Sequence, residues 1–526
     1  MNFPEKTRTG VTFFLIFLAL FLCMALTARD DITLAGNEAS RLAAVQSLVD
    51  EGTLQIDRSM FRTVDKARID GHFYSGKPLL LTWWLGFVYW LIKIFSSLSF
   101  QNAYHAVIHL LNIFGTGSFT ILLVFLFLHK LKCFHGALFL RLLIAAGMVW
   151  TTWIFSFGTA LNSHTPAACI VFVLFCVLDQ YRKKPHWGKA LAAGLLAGLL
   201  FNVDIPTGGI FMAAGLVALF SETPSSRMKM TLWYGAGFAA LVAVMGLMNY
   251  FAYGHVLPVY LIPGAYDYPG SLHTAGYGGL RKPLHVPAYF FHMTLGNRGF
   301  FSYMPVFLFI IPAVAMGHRL KDKTSIIFLA TAIPIFLFYG TQTGDYGGWS
   351  YGFRFLIPLI PVFWWWMSGW FFKHYRSRWV LLFYLCLAWG FVTSLVGAYN
   401  PWLVVYEGAS THPGVVEEDV HCPFTANLLC MAFEEDPKSG LTRYLVERVY
   451  GPHLAYAYLK RAYRNMNRED LVKKAGFYSR LSEKPAGISG DTEDRYFQKV
   501  RMPPVHGKHA GKGPASCYRP ASHAAG

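Results

Sequence analysis

Long apolar runs recur along the first 400 residues, and they constrain the fold more than any other feature. Most approach the roughly 20 residues that cross a bilayer core. Only 14% of the residues are charged, against about 25% in a typical soluble domain, so too few charges remain to cover a soluble surface. The runs predict eleven transmembrane helices, at residues 11–28, 103–128, 138–157, 167–180, 189–203, 207–220, 231–250, 301–316, 324–340, 355–372 and 379–397.

Lysine and arginine collect in every second loop between these runs. The positive-inside rule assigns such loops to the cytoplasm. The same bias explains the formal net charge of +17 without a nucleic-acid partner. The opposite loops hold the unusual polar residues and are assigned to the outer face: 29–102, 158–166, 251–300 and 341–354. The sequence therefore predicts an all-α polytopic membrane protein with its N-terminus inside and its C-terminus outside.

One further apolar segment, 78–95, breaks this alternation. If it crossed the membrane, every later loop would change sides and the basic loops would face outward. Its tryptophans Trp83, Trp84 and Trp90 suit the depth of the membrane interface. We therefore expect a juxtamembrane helix that lies in the outer interface.

The composition changes at about residue 400. Residues 1–400 are predicted to form the transmembrane domain. Charged residues become frequent over 401–502, where helical patterning at 440–482 predicts a small soluble appendage on the outer face. The remaining residues, 503–526, are rich in Gly, Ala, His and Pro and are predicted to form a disordered tail.

Polar residues with useful chemistry concentrate in the first outer loop. Glu38 follows the first run, and Lys77 immediately precedes the interfacial helix; the other acids of interest are Asp31, Asp57 and Asp65. A carboxylate at the membrane surface can act as a general base, or it can hold a divalent ion beside a phosphate. A lysine there can bind a lipid phosphate. The alternative is a solvated loop with ordinary surface ion pairs.

The order of these residues resembles the GT-C superfamily of integral-membrane glycosyltransferases, which use polyprenyl-phosphate sugars. Protein O-mannosyltransferases and lipid A aminoarabinose transferases have an acidic pair after the first span, a glycine about fourteen residues on, and a Lys-Pro-Pro-Leu element. Here Glu38 and Gly52 have that spacing, and Lys77-Pro78-Leu79 matches all but one proline. Two later segments, 296–305 and 347–358, resemble elements of bacterial members.

The resemblance implies inverting transfer of a sugar from a polyprenyl-phosphate carrier to a lipid, glycan or protein acceptor. The reaction would occur on the outer face of a bacterial inner membrane, among membrane lipids. Glu38 would be the catalytic base. The residues that would contact the donor or acceptor are Lys77, Arg298, Arg354, His72, His164 and Asp345. No cofactor is implied with certainty, and a divalent metal ion is left open.

The chain departs from the family pattern at two acidic positions. Asn37 stands where the first acid of the pair is expected, so Asp31, Asp57 or Asp65 is an alternative catalytic acid, and a pseudoenzyme is a further alternative. A second family acid falls near 161–166, where this chain has His164 and no carboxylate.

Two other functions remain as alternatives. A flippase or transporter of a lipid-linked sugar is expected to have inverted repeats and broken helices that meet at the midplane, whereas the polar residues here crowd one face. An O-antigen polymerase or ligase also has many spans and a large outer loop. The Lys77-Pro78 element beside an interfacial helix argues against that function.

Overall fold

The computed structural model describes residues 5–32, 36–222, 227–269, 271, 286–317, 322–342, 350–402 and 422–482. Helices account for most of this part of the chain. The first ten are α1 (Glu5–Thr27), α2 (Gly36–Gln46), α3 (Leu79–Ser96), α4 (Tyr104–Leu111), α5 (Ser118–Lys130), α6 (Leu138–Trp150), α7 (Trp153–Gly158), α8 (His164–Lys183), α9 (Trp187–Val203) and α10 (Ile205–Glu222).

Twelve more helices follow in the described residues. They are α11 (Arg227–Tyr253), α12 (Val286–Thr294), α13 (Phe300–Tyr303), α14 (Ile310–Ala315), α15 (Lys323–Ala330), α16 (Ala332–Gln342), α17 (Ile360–His374), α18 (Trp379–Tyr399), α19 (Pro423–Glu435), α20 (Gly440–Tyr444), α21 (Pro452–Asn465) and α22 (Glu469–Ser482). A 3-10 turn, Arg354–Leu359, leads directly into α17.

Seven helical stretches within the described residues are long and apolar enough to cross a membrane: Leu79–Ser96, Tyr104–Cys133, His164–Lys183, Arg227–Tyr253, Lys323–Gln342, Arg354–His374 and Trp379–Tyr399. Shorter apolar helices lie at Phe14–Thr27, Leu138–Trp150, Trp187–Val203, Ile205–Ser221 and Pro305–Ala315. The prediction of an all-α polytopic membrane fold is confirmed. Each of the eleven apolar runs falls on one of these helices, but only six meet the length criterion, so the number of spans stays a prediction. The interfacial position of Leu79–Ser96, which also meets the criterion, stays a prediction too.

Three apolar cores organise the described residues. The largest lies inside the main helix bundle. A second joins α2 and α3 with α4 and the first loop. A third lies among α19 to α22, which we call the C-terminal unit (residues 422–482). The proposed domain limits at 400 and 502 stay predictions, and the tail 503–526 lies outside the described residues.

A β-hairpin in the first loop was not predicted from the sequence. Strand β1 (Lys66–Ile69) pairs antiparallel with β2 (His72–Ser75). Asp70 and Gly71 form the two-residue turn, and both have positive φ, as a type I′ hairpin turn requires. Because Lys66 is paired with Ser75, the residues just outside the strands also come together at the open end of the hairpin.

The two ends of the main bundle differ in their polar chemistry. At the end where α8 finishes, the buried Asp179 forms an ion pair with Lys130 and accepts a hydrogen bond from Arg182 Nη2 at 2.9 Å. Lys183 Nζ lies 3.1 Å from the same carboxylate. This network ties α5 to α8, and we call this end of the bundle the basic end. The candidate site lies at the other end, where α8 begins.

Candidate active site

The open end of the hairpin brings Asp65 and Lys77 into an ion pair. Both side chains are mostly buried, with 12% and 20% of their surfaces exposed. Gly76 makes this approach feasible, because a Cβ atom there would lie 2.5 Å from Asp65 Oδ1. Pro78 follows Lys77 and immediately precedes α3, so Lys77 lies at the junction between the hairpin and that helix.

Helix α2 brings a second pair of charged residues to the same place. Glu38 and Arg41 are three residues apart, which puts both on one face of the helix. Both are buried, and the Leu161 N–H donates to Glu38 Oε1 at 3.3 Å. Ser40 Oγ lies 2.7 Å from Ser75 Oγ, so α2 is attached to β2 beside the open end of the hairpin.

Arg41 has an unusual environment. Its side chain is 2% exposed, yet Nε and Nη1 have no hydrogen-bond partner within the part of the chain that the structure describes. Burial lowers the pKa of Arg41 to about 10; the field of Asp65 opposes this shift, and that of Arg354 adds to it. A buried cation with unmet donors favours an anionic ligand.

Lys77 and Arg354 share this environment. Burial lowers the pKa of Lys77 below its ordinary value; Asp65 acts in the opposite direction, and Arg354 and Arg41 lower the pKa further. Arg354 begins the 3-10 turn before α17, and its guanidinium carbon lies 4.9 Å from the centre of the Trp402 ring. The buried Arg41 and the half-buried Lys77 and Arg354 therefore lie close enough for their charges to affect one another, and we call them the cation cluster (Arg41, Lys77 and Arg354).

His164 and Asp204 lie beside the cation cluster. His164 is the first residue of α8, and its Nδ1 is 3.0 Å from Asp204 Oδ2. The other carboxylate oxygen of Asp204 accepts hydrogen bonds from the Thr207 N–H and the Tyr339 hydroxyl, each at 3.3 Å. Asp204 thus caps the first turn of α10 and is also a buried acid within the field of Arg41.

Three other predicted residues, Asp31, Asp57 and His72, have described contacts that do not include the cation cluster. Asp31 Oδ1 accepts hydrogen bonds from the Ile32 N–H at 2.7 Å and from the Tyr104 hydroxyl at 3.0 Å. Asp57 Oδ2 lies 3.4 Å from His72 Nδ1, at the turn end of the hairpin and away from Lys77. Their catalytic or binding roles stay predictions.

Arg298 and Asp345 complete the predicted set. Arg298 is buried, and its Nη1 donates to the Ser350 carbonyl at 2.5 Å, in the loop that precedes Arg354. Asp345 lies outside the described residues. Within those residues, no three His, Cys, Asp or Glu side chains come together where they could hold a metal ion.

Arg41 is the site residue that sequence analysis missed. The spacing of three residues between Glu38 and Arg41 was the available signal, because it predicts one shared face if the segment is helical. The sequence indicates Asp65 only as an alternative catalytic acid. Its position as the ion-pair partner of Lys77 depends on the hairpin, which was not predicted.

The fold and the site define a polytopic membrane protein with a buried, charged site at one end of its helix bundle. No protein-family model and no curated protein matches the chain. Among solved structures, it is similar to ArnT from Cupriavidus metallidurans in the apo state, with 11% identity, 90% of this chain and 75% of that chain covered, and a TM-score of 0.47. It is also similar to the structure of that protein bound to undecaprenyl phosphate, with 12% identity, 89% of this chain and 74% of that chain covered, and a TM-score of 0.45.

Proposed function

We propose that this protein is a glycosyltransferase that moves a sugar from a polyprenyl-phosphate carrier to an acceptor on the outer face of the membrane. The observation that carries the proposal is the buried Arg41, two of whose nitrogens have no hydrogen-bond partner among the described residues, in the same cluster as Lys77 and Arg354. The oxygens of a phosphate would accept hydrogen bonds from these donors. Lys77 and Arg354 also belong to the sequence elements that resemble GT-C enzymes, so the motifs and the charge chemistry support the same function.

The cation cluster suits the departure of a carrier phosphate. As the bond between the anomeric carbon and the phosphate oxygen breaks, negative charge develops on the phosphate. Fixed cations in a site with little water stabilise that charge more than water-exposed cations would. Asp65 holds Lys77 in position through its ion pair, while the guanidinium groups of Arg41 and Arg354 offer several donors each.

Glu38 is the proposed base. It lies on the same face of α2 as Arg41, so an acceptor hydroxyl or amine beside Glu38 would be close to a sugar whose phosphate contacts the cations. The carboxylate would take the acceptor proton while the acceptor oxygen or nitrogen attacks the anomeric carbon from the side opposite the phosphate. This geometry inverts the configuration at that carbon. The acceptor class, whether lipid, glycan or protein, is left open by these residues.

The first test measures the binding of undecaprenyl phosphate, used as the carrier probe, to the full-length protein in lipid nanodiscs. Replacing Lys77 or Arg354 with Ala removes one or two charge-assisted hydrogen bonds, each worth about 1.5–3 kcal/mol. We expect binding to weaken about 10- to 150-fold for each bond lost.

Lys93→Ala provides the matched control for this experiment. Lys93 forms a comparable ion pair with Asp50, at 2.6 Å, near the other end of α3. We expect this variant to bind the probe like the unmodified protein. Unchanged binding in folded Lys77→Ala and Arg354→Ala proteins would reject the proposed function.

A further inference from the structure

The segment that follows α18 is held from two sides. The backbone carbonyl of its first residue, Asn400, accepts a hydrogen bond from Asn427 Nδ2 at 2.9 Å. The side-chain amide of Asn427 also donates to the Val396 carbonyl at 3.0 Å. The Pro401 carbonyl accepts from the Tyr351 N–H at 3.0 Å. One of these donors belongs to the C-terminal unit, and the other belongs to the loop that carries Arg354.

Trp402, two residues after Asn400, lies against Arg354. The side chain of Trp402 is fully buried, and its ring centre is 4.9 Å from the guanidinium carbon of Arg354. The ring also makes an edge contact with Phe157, with the centroids 5.5 Å apart. Asn465 of the C-terminal unit also donates through Nδ2 to the backbone carbonyl of Trp402, at 3.5 Å.

We propose that the C-terminal unit positions Arg354 by holding Trp402 against its guanidinium group. Asn427 fixes the backbone at Asn400, the backbone carries Trp402, and the ring of Trp402 restricts Arg354. Trp402 and Asn427 are then positioning residues, and the C-terminal unit belongs to the support of the site. The catalytic meaning of this arrangement rests on the proposed function, in which Arg354 contacts the carrier phosphate.

Physical chemistry explains why such support is useful. An arginine side chain has many rotamers, and ordering it when a ligand binds carries an entropic cost. An aromatic ring beside the planar guanidinium group restricts those rotamers and attracts the cation without using its hydrogen-bond donors. The ring therefore does not compete with a phosphate for those donors. Without Asn427, two backbone carbonyls would lose their donor, and the segment that carries Trp402 would be less restrained.

The first experiment tests this positioning without any assay of transfer. Arginines of the full-length protein in nanodiscs are modified with phenylglyoxal, and the modification of each is measured by peptide mass spectrometry. We expect Trp402→Leu and Asn427→Leu to raise the modification rate of Arg354 several-fold. Trp402→Phe keeps an aromatic face and should show a smaller increase.

Tyr463→Phe is the matched control. The Tyr463 hydroxyl donates to the Cys430 carbonyl at 2.7 Å, so this variant removes a buried hydrogen bond inside the C-terminal unit without touching Trp402. It should leave the modification of Arg354 unchanged. Equal modification of Arg354 in the unmodified protein and in folded Trp402→Leu would overturn the proposal. So would equal increases in Trp402→Leu and Tyr463→Phe. If Asn427→Leu fails to fold, the Leu and Phe variants of Trp402 decide the outcome.

The second experiment asks whether Trp402 acts through Arg354. We expect Trp402→Leu to weaken undecaprenyl phosphate binding about 2- to 30-fold, the range for loss of one cation–π contact. In an Arg354→Ala background the same change should have no further effect. Equal losses in both backgrounds would overturn the proposal. If Arg354→Ala alone leaves binding unchanged, the proposed function fails at this residue, and the modification experiment still decides the positioning role.

Discussion

At the scale of single residues, the three cations of the site have different kinds of support. Lys77 is paired with Asp65, whereas Arg354 lies against the ring of Trp402. Arg41 has two nitrogens without a hydrogen-bond partner among the described residues. A bound anion would compensate all three at once, because opposite charge and hydrogen bonding both favour the charged form of a buried base.

The lowered pKa of Lys77 predicts a shifted pH dependence. As pH rises through this lowered pKa, Lys77 loses its charge, so kcat/KM for the donor should fall at a less alkaline pH than a free lysine would give. Lys77→Arg should move that fall to higher pH, because a guanidinium keeps its proton longer. The profile of kcat/KM against pH checks this result. Identical alkaline limbs in the two proteins would contradict the role of Lys77.

The same shift predicts the opposite trend for stability. Between the lowered pKa of Lys77 in the folded state and its ordinary value, the unfolded state binds more protons. The contribution of Lys77 to the free energy of unfolding therefore rises with pH across that alkaline window, while donor binding falls. The burial-lowered pKa of Arg41, about 10, gives the same sign. As pH rises through this window, donor binding thus weakens while the free energy of unfolding increases.

The base prediction concerns Glu38. Glu38→Gln removes a proton acceptor but keeps an oxygen that can accept from the Leu161 N–H. We expect turnover to fall about 10²- to 10⁴-fold with carrier binding retained. Asp31→Asn and Asp57→Asn should each cost less, because the described contacts of both acids lie outside the cation cluster. Full turnover in Glu38→Gln, together with an inactive Asp57→Asn protein, would assign the base to the turn end of the hairpin.

At the scale of elements, the hairpin determines the position of Lys77. Asp65 and Lys77 flank the two strands, and the turn at Asp70 and Gly71 folds the chain so that they meet. The family-like Lys-Pro-Leu element thus depends on a structure that precedes it. Helix α3 then begins immediately after Pro78, which fixes the other side of the lysine.

Gly76→Ala tests this element directly. The added Cβ would lie 2.5 Å from Asp65 Oδ1, so the carboxylate must shift, and this shift disturbs the ion pair that its Oδ2 makes with Lys77. We expect carrier binding to weaken about tenfold or more, the effect of one lost hydrogen bond to a charged group. Gly476→Ala in α22 is the control, since nothing lies within 4 Å of its added Cβ. Normal binding by Gly76→Ala would show that the Asp65–Lys77 pair does not position the lysine.

The sequence predicts the helices better than the site, for a physical reason. An apolar run reports directly on burial in a membrane, so each run coincides with a helix. The hairpin was predictable from Asp70-Gly71 between alternating residues, a strong local signal that was not used. The contact between Arg354 and Trp402 had no such signal. It depends on packing between segments joined by the whole of α17 and α18, and no periodicity in the sequence reports on that.

At the scale of the whole molecule, the basic end and the site end lie at opposite termini of α8. Asp179, near one terminus, is bound by Lys130, Arg182 and Lys183. His164, at the other, contacts Asp204. This division agrees with the positive-inside assignment, which puts the basic end in the cytoplasm and the site on the outer face.

Topology can be tested with single cysteines in a chain that lacks its native ones. His186 and His255 are both exposed, and they lie in loops of opposite assignment. We expect an impermeant maleimide to label His255→Cys in intact spheroplasts, and His186→Cys only after permeabilisation. Labelling of His186→Cys alone in intact spheroplasts would reverse the topology, and equal labelling would place both loops on one side.

The distribution of the charged residues along the chain has a consequence for biosynthesis. Glu38, Arg41 and the Asp65–Lys77 pair belong to the first eighty residues, and α2, α3 and the hairpin, which lie beside them, share one apolar core. Arg354 leaves the ribosome only after most of the helices have been made. The Asp65–Lys77 ion pair can form early in synthesis, so the nascent chain does not carry Lys77 as an isolated charge at the membrane surface. Under the proposed function, a chain that stalls before α17 lacks Arg354 and is expected to bind a carrier phosphate more weakly than the complete chain.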